Sequence, residues 1–261
     1  MLILYESILA EEKGPVGIIT INRPKKLNAL NTKVNAEIAN AFTKYSQKEE
    51  IRVVILTGGE KVFGAGADID ELANLNVMQA YQYSRNFQQV SCEIENFPRP
   101  VIAAIAGFCL GGALELAISC DIRIASEKAR LGVPEINLGL YPGAGGTQRL
   151  ARLIGPGWAK LMLYTGQHID ANLAYQTGLV QKVVPEGEAL NEALKLAEEL
   201  ASKPGVALSS IKNVVNTGVE IDLTKGLVVE ARGFAMLWST EDFKEGTSAF
   251  IEKRKAQFKH R

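Results

Sequence analysis

Hydrophobic and polar positions alternate in two registers along this chain. Through about residue 190, β-branched runs alternate with stretches of helical spacing. The opening Met1-Leu2-Ile3-Leu4-Tyr5-Glu6 is strand-like from the start. Val16-Gly17-Ile18-Ile19-Thr20-Ile21-Asn22 reads as a strand closed by a turn at Asn22-Arg23-Pro24. Leu30, Val34, Ile38, Ala41, Phe42 and Tyr45 fall near helical spacing, which predicts an amphipathic helix from Leu27 to about Gln47. The unbroken apolar runs from Val53 and from Val101 to Ala106 read as buried strands, the first ending at Gly58-Gly59. Ser84 to Asn96 reads as a helix stopped by Phe97-Pro98-Arg99-Pro100. A helix from Gly111-Gly112 to about Cys120 and a short strand Asp121–Ala125 follow. Another helix opens at Gly143-Ala144-Gly145-Gly146-Thr147 and runs through about Ile154, and Val180–Pro185 is a late edge strand.

After residue 190 the strand signal ends. Glu188–Ser202, Val206–Thr217, Leu223–Leu237 and Glu241–Lys255 all read as helices, joined to the rest near Lys203-Pro204-Gly205. The pattern predicts an α/β chain, with a core over 1–195 and a helical region over 196–261. The apolar residues Leu227, Val228, Phe234, Met236, Leu237 and Trp238 cover either their own core or a neighbouring subunit. No exact short repeat or low-complexity tract is visible.

Composition narrows the class. With 261 residues, 47% hydrophobic and 22% charged, the chain can bury a large core. Twenty-nine basic residues balance twenty-nine acidic ones, so no nucleic-acid partner is expected. No apolar run reaches the length of a membrane span and no targeting segment opens the chain, which predicts a cytoplasmic protein. Cys92, Cys109 and Cys120 do not form a disulfide framework and read as small buried residues in a reducing compartment. Only His168 and His260 are available as imidazoles, and there is no Cys/His cluster, so no metal site is expected.

Two carboxylates stand out. Glu115 lies in the otherwise apolar Gly111-Gly112-Ala113-Leu114-Glu115-Leu116-Ala117-Ile118, and Glu135 follows a proline in Gly132-Val133-Pro134-Glu135-Ile136-Asn137-Leu138-Gly139. A buried ionised carboxylate is costly unless paired or hydrogen-bonded. Two of them beside glycine-rich turns point to an acid/base pair on a pocket floor, sharing one proton because like charges cannot both ionise there. The turns Phe63-Gly64-Ala65-Gly66-Ala67-Asp68 and Leu110-Gly111-Gly112-Ala113 fit neither GxxxxGK[ST] nor a strand-linked GxGxxG. They offer backbone N–H groups that a ligand can approach closely, one from each turn, as an oxyanion hole requires. Tight turns alone are the other reading of these glycines.

Taken together, Gly64-Ala65-Gly66-Ala67-Asp68, the Gly111–Ala117 segment, Pro134-Glu135-Ile136-Asn137-Leu138-Gly139 and Pro142-Gly143-Ala144-Gly145-Gly146-Thr147-Gln148-Arg149-Leu150 resemble the enoyl-CoA hydratase (crotonase) family. Asn22-Arg23-Pro24-Lys25-Lys26-Leu27-Asn28-Ala29-Leu30 and Glu245–Arg254 extend the resemblance over essentially the whole chain. It implies a crotonase-type spiral of repeated ββα units with a helical C-terminal trimerisation region, and a homotrimer or a hexamer made of two trimers. It also implies an acyl-CoA thioester substrate, short-chain in the manner of crotonyl-CoA, and a lyase role in fatty-acid metabolism such as β-oxidation. No cofactor is implied, since coenzyme A enters as part of the substrate.

Residue by residue, the resemblance implies that the Ala67 and Gly112 amides hold the thioester oxygen. Glu115 then serves the water and Glu135 the C2 proton. Lys26, Leu27, Ala29, Ala65, Asp68 and Ile69 are implied along the coenzyme A path, with Phe250 and Lys253 reaching the nucleotide. Asp70 departs from the pattern, standing where a basic residue often follows. The presence of both glutamates favours a hydratase. An isomerase or specialised dehydratase of the same fold, and a non-catalytic or RNA-binding member, remain as alternatives.

Overall fold

The computed structural model describes residues 3–261. A seven-stranded sheet runs in the order β1 (Ile3–Leu4), β2 (Ile8–Lys13), β3 (Val16–Ile21), β4 (Val53–Thr57), β5 (Val101–Ile105), β7 (Ile122–Ser126), β10 (Lys182–Val184). The first two pairings are antiparallel, and from β3 to the β10 edge every pairing is parallel. A second sheet has the order β6 (Phe108–Leu110), β8 (Arg130–Gly132), β9 (Ile169–Asp170), and the short helices α2 (Ile69–Leu72) and α6 (Ala171–Gln176) follow β4 and β9.

The central strands read as unbroken apolar runs because both faces of the large sheet are covered. One face, including Ile19, Val54, Leu56, Ala103 and Ile105, packs into the main core with α1 (Thr32–Ser46), α3 (Val77–Glu95) and α4 (Gly112–Ala117). The alternate residues Ile18, Val53, Ile55, Ile102 and Ile124 meet α7 (Ala189–Ala201). That helix presents Ala189, Ala193, Ala197 and Ala201, a four-residue spacing of small side chains that allows close approach. Residue 195, where the sequence pattern places the domain boundary, therefore lies inside a helix bound to the sheet along its length. The sheet-packed part of the chain continues to Ala201.

The two sheets are linked by a repeating unit. β5 turns at Gly107 into β6 and then α4, and β7 turns into β8 and then a 3-10 turn, Pro134–Leu138. β6 and β8 pair in parallel, and Gly64, downstream of β4, adds a parallel bridge to Cys109. Segments 65–68, 111–115 and 133–135 therefore leave three neighbouring strands in the same direction. Strands of three residues carry no readable period, which is why β6 and β8 escape the sequence pattern.

Three helix boundaries differ from the sequence pattern. α1 starts at Thr32 rather than near Leu27, because the Asn31 side chain caps it by accepting from Val34 N at 2.9 Å, while Leu27 and Asn28 adopt left-handed backbone. α3 starts seven residues before Ser84, at Val77, behind an Asn76/Gln79 capping box. α5 (Gly146–Thr165) continues past Ile154 across a kink at Gly155-Pro156. Cys92 is exposed, whereas Cys109 and Cys120 are buried as expected.

α8 (Gly205–Gly218) and α9 (Leu223–Met236) pack as a hairpin in which no residue is fully buried. The hairpin is tied to the core by Lys212, whose ammonium donates to Asp121 Oδ2 at 2.9 Å and to the Ile94 and Arg99 carbonyls at 3.4 and 3.3 Å. Beside this anchor lies a cavity of about 610 Å³ lined by Ile118, Leu208, Ile211 and Val215. It contains neither Glu115 nor Glu135. Lys212→Met should lower the unfolding free energy by roughly 2 kcal/mol, since the half-buried Asp121 is left without its cation. Adding Asp121→Asn should recover part of that loss in denaturant titration. No loss in the single variant would show that the anchor is idle.

Candidate active site

The oxyanion candidates follow from strand geometry. Leu30 forms a parallel bridge with Ala67: Leu30 N donates to Gly66 O and Asp68 N donates to Leu30 O, both at 2.7 Å. Backbone groups alternate along an extended segment, so the N–H of Ala67 points the other way, toward Gly112. A methyl built on Gly112 would stand 3.9 Å from Ala67 N and 3.9 Å from Glu115 Oε2. Gly112 opens α4, where backbone donors lack helical partners. Neither amide donates to a backbone acceptor among the described residues.

Glu115 sits one turn further along α4 and is 3% exposed. Its Oε1 accepts from Ala144 N and Gly146 N, each at 2.7 Å, at the start of α5. Its Oε2 is left facing Gly112. Glu135 reaches the same place from the 3-10 turn after β8. Gly111, at φ 51° and ψ −128°, has no room for a side chain, because a Cβ there would stand 2.7 Å from Glu135 Oε1. Glu135 Oε2 is buried with no hydrogen-bond partner. The two carboxyls therefore flank one Gly-Gly dipeptide beside two free amides.

Burial pushes the Glu115 carboxyl up to about 7, with nearby Glu135 adding to the shift; the Gly146 and Ala144 amides and Arg149 oppose it. Burial likewise raises Glu135 to about 7. A group of this kind holds a proton reversibly at neutral pH.

The residues expected along the coenzyme A path separate into two places. Lys26, Leu27, Ala29, Ala65, Asp68 and Ile69 lie on two loops joined by Ala65 N to Leu27 O at 3.0 Å, next to the Ala67 amide. Leu27 and Ile69 are half-exposed and form an apolar lip. Lys26 is ion-paired with Asp70, the residue that departs from the family pattern. The Asp68 carboxylate is engaged by Arg23 at 2.9 Å, so it braces the two loops. Phe250 and Lys253 lie at the exposed end of α10 (Glu241–Ile251). No hydrogen bond or ion pair among the described residues connects them to the glycine turns. Sequence reasoning passed over Arg23, Ser84, Gln88 and Arg149. Arg149 had a signal, being a cation in a first helical turn that normally favours anions.

A ββα spiral holding one buried and one half-buried carboxyl beside two free amides defines an enzyme built for proton transfer next to a carbonyl. The sequence profile of the enoyl-CoA hydratase/isomerase family matches residues 11–261, and the chain belongs to that family. It is 45% identical over 255 residues to a crotonyl-CoA hydratase of Syntrophomonas wolfei, covering 97% of this chain and 98% of the relative. It is also 45% identical to a short-chain-enoyl-CoA hydratase of Clostridium acetobutylicum, covering 98% of each. The fold is similar to the crystal structure of enoyl-CoA hydratase from Bacillus anthracis at a TM-score of 0.94 and 41% identity, over 98% of this chain and 100% of the other. No helix among the described residues is long and apolar enough to cross a membrane.

The raised carboxyls make stability depend on pH. In the unfolded chain Glu115 titrates near 4.5, in the folded protein near 7. Its protonated form contributes stability that is complete below pH 4.5 and is lost as pH rises through 7. Glu115→Gln keeps the acceptor for both amides and cannot ionise. Between about pH 5 and pH 8 the wild type should therefore lose roughly 3 kcal/mol relative to this variant. Parallel curves of unfolding free energy against pH would contradict the assignment.

Proposed function

We propose that the protein is an enoyl-CoA hydratase, a hydro-lyase that adds water reversibly to trans-2-enoyl-CoA to give 3-hydroxyacyl-CoA, with short substrates such as crotonyl-CoA. The observation that carries the reading is the pair of carboxyls, both shifted to about 7, around one dipeptide beside two unbonded amides. The names of the relatives at 45% identity support the short chain length.

The thioester oxygen lies between the Ala67 and Gly112 amides, so the enoyl plane presents one face to both carboxyls. Two amide donors on Glu115 Oε1 favour its anion, which makes Glu115 the base that takes a proton from water as the oxygen bonds to C3. The displaced π electrons move through C2 to the thioester oxygen, where a preorganised donor is worth about 3 kcal/mol. Glu135, whose Oε2 has no donor, is the protonated partner and delivers its proton to C2. Water has then been added across the bond, and the pair again holds one proton, now on Glu115. This chemistry requires no metal, flavin or nicotinamide. The Lys26, Leu27, Ala65 and Ile69 loops guide the coenzyme A portion of the substrate.

The exposed apolar residues Val219, Leu223, Leu227, Phe234 and Met236 support a trimer or a hexamer of two trimers built through the helical region. In that assembly Phe250 and Lys253 reach a neighbour's nucleotide.

Purified protein should erase the conjugated-thioester absorbance of crotonyl-CoA, with a solution mass that is a multiple of three protomers. Glu115→Gln and Glu135→Gln should each cut kcat by roughly 10²-fold or more. No turnover of crotonyl-CoA or of longer and branched enoyl-CoAs would sink the hydratase reading.

A further inference from the structure

One face of α3 grips the loop that leads into α5. Ser84, Gln88, Cys92 and Glu95 are four, four and three positions apart, so they stand one above another on the helix. Ser84 Oγ and Gln88 Nε2 both donate to the Gly143 carbonyl, at 2.7 and 2.9 Å. From the first turn of α5, Arg149 Nη2 and Nε donate to Glu95 Oε2 at 2.7 and 3.3 Å. Arg149 Nη1 donates to the Ala144 carbonyl at 3.3 Å, and Nη2 lies 3.4 Å from Cys92 Sγ. A guanidinium engaged on several sides is fixed in one plane. Gly145 has φ 110°, and a Cβ there would stand 2.1 Å from Arg149 Nη1, so the guanidinium fills the inside of the turn.

The loop held in this way supplies both amides that bind Glu115 Oε1. We propose that Arg149 is a positioning residue for the reaction: anchored on Glu95, it locks the Gly143–Gly146 loop against α3 and so keeps the Ala144 and Gly146 amides on Glu115, favouring its ionised form. The groups that face Glu115 are Glu135 from the 3-10 turn, Arg149 from α5 and the Tyr83 phenol from α3. Burial raises the phenol, which is therefore neutral. Arg149 is the one cation in this set. Without it, Glu115 faces Glu135 with no opposing charge and with a loosened pair of donors. Arg149 thus acts through its charge and through the loop it holds, without touching the reacting atoms.

The inference rests on the hydratase reading only for its kinetics, because the protonation of Glu115 can be followed without substrate. In protein carrying ¹³C-carboxyl glutamate, with Glu115→Gln assigning the resonance, Arg149→Met should raise the Glu115 titration midpoint by about one pH unit. The acid limb of the kcat/KM profile on crotonyl-CoA should move up with it. At neutral pH kcat should fall roughly tenfold, as expected when a base is mostly protonated, while KM stays within about twofold. Arg149→Lys keeps the charge without the fork and should restore the midpoint only in part. Gln88→Met, which loosens the same loop without touching any charge, should shift the midpoint in the same direction by less.

A folded Arg149→Met protein whose Glu115 titrates as in the wild type overturns the proposal, even if its Tm drops. Should Arg149→Met fail to fold, a wild-type midpoint in Gln88→Met overturns it and a raised midpoint in Gln88→Met upholds it. A shifted midpoint in a protein that hydrates no enoyl-CoA leaves the loop lock standing and removes the hydratase reading.

Discussion

The parallel pairing of Phe108–Leu110 with Arg130–Gly132, extended by the bridge from Gly64 to Cys109, is the constraint on which the site depends. These are very short ladders, and each strand returns from the large sheet through a tight turn. Their register decides where three following segments emerge. The first brings the Ala67 amide, the second the Gly112 amide and Glu115, the third Glu135. A one-residue slip would turn every side chain to the opposite face and separate the four groups. The buried sheet behind them, packed on both sides, makes that slip costly. Groups placed at the exits of adjacent strands inherit the rigidity of the core while standing at its surface.

The site gains its chemistry from an asymmetry between two similar acids. Both carboxyls are raised by burial, yet their hydrogen bonding differs. Glu115 accepts from two amides through Oε1, while Glu135 leaves Oε2 without a donor. The first arrangement favours an anion more than the second does, which is the division of labour that the proposed mechanism requires. The glycines are part of the same device. Gly111 and Gly112 let the carboxyl oxygens and the Ala67 amide approach closely, where any side chain at Gly111 would collide with Glu135.

Much of this was legible in the residues. The long strands announced themselves by unbroken β-branched runs, and the glutamates by their apolar and glycine-rich settings. The α1 boundary lies beyond what the period suggests, because Leu30 fits the helical spacing but the Asn31 cap outweighs it. β6 and β8 are too short to show a period, so the strands that align the site were invisible. The Asn76-x-x-Gln79 box was readable and marks the true start of α3. Asp68 was legible as part of a motif, but its ion pair to Arg23, 45 positions away, is a tertiary fact. The same holds for Arg149 and Glu95, whose contact lies 54 positions apart in sequence.

The central claim is that one face of the enoyl thioester meets both carboxyls, so oxygen and proton arrive from the same side. Hydration of crotonyl-CoA in deuterium oxide tests it most directly, with the configuration of the product read at C2 and C3. The account predicts a single deuterium at C2, syn to the new C3 oxygen. An anti or mixed product, or deuterium at C4 with migration of the double bond, would contradict it.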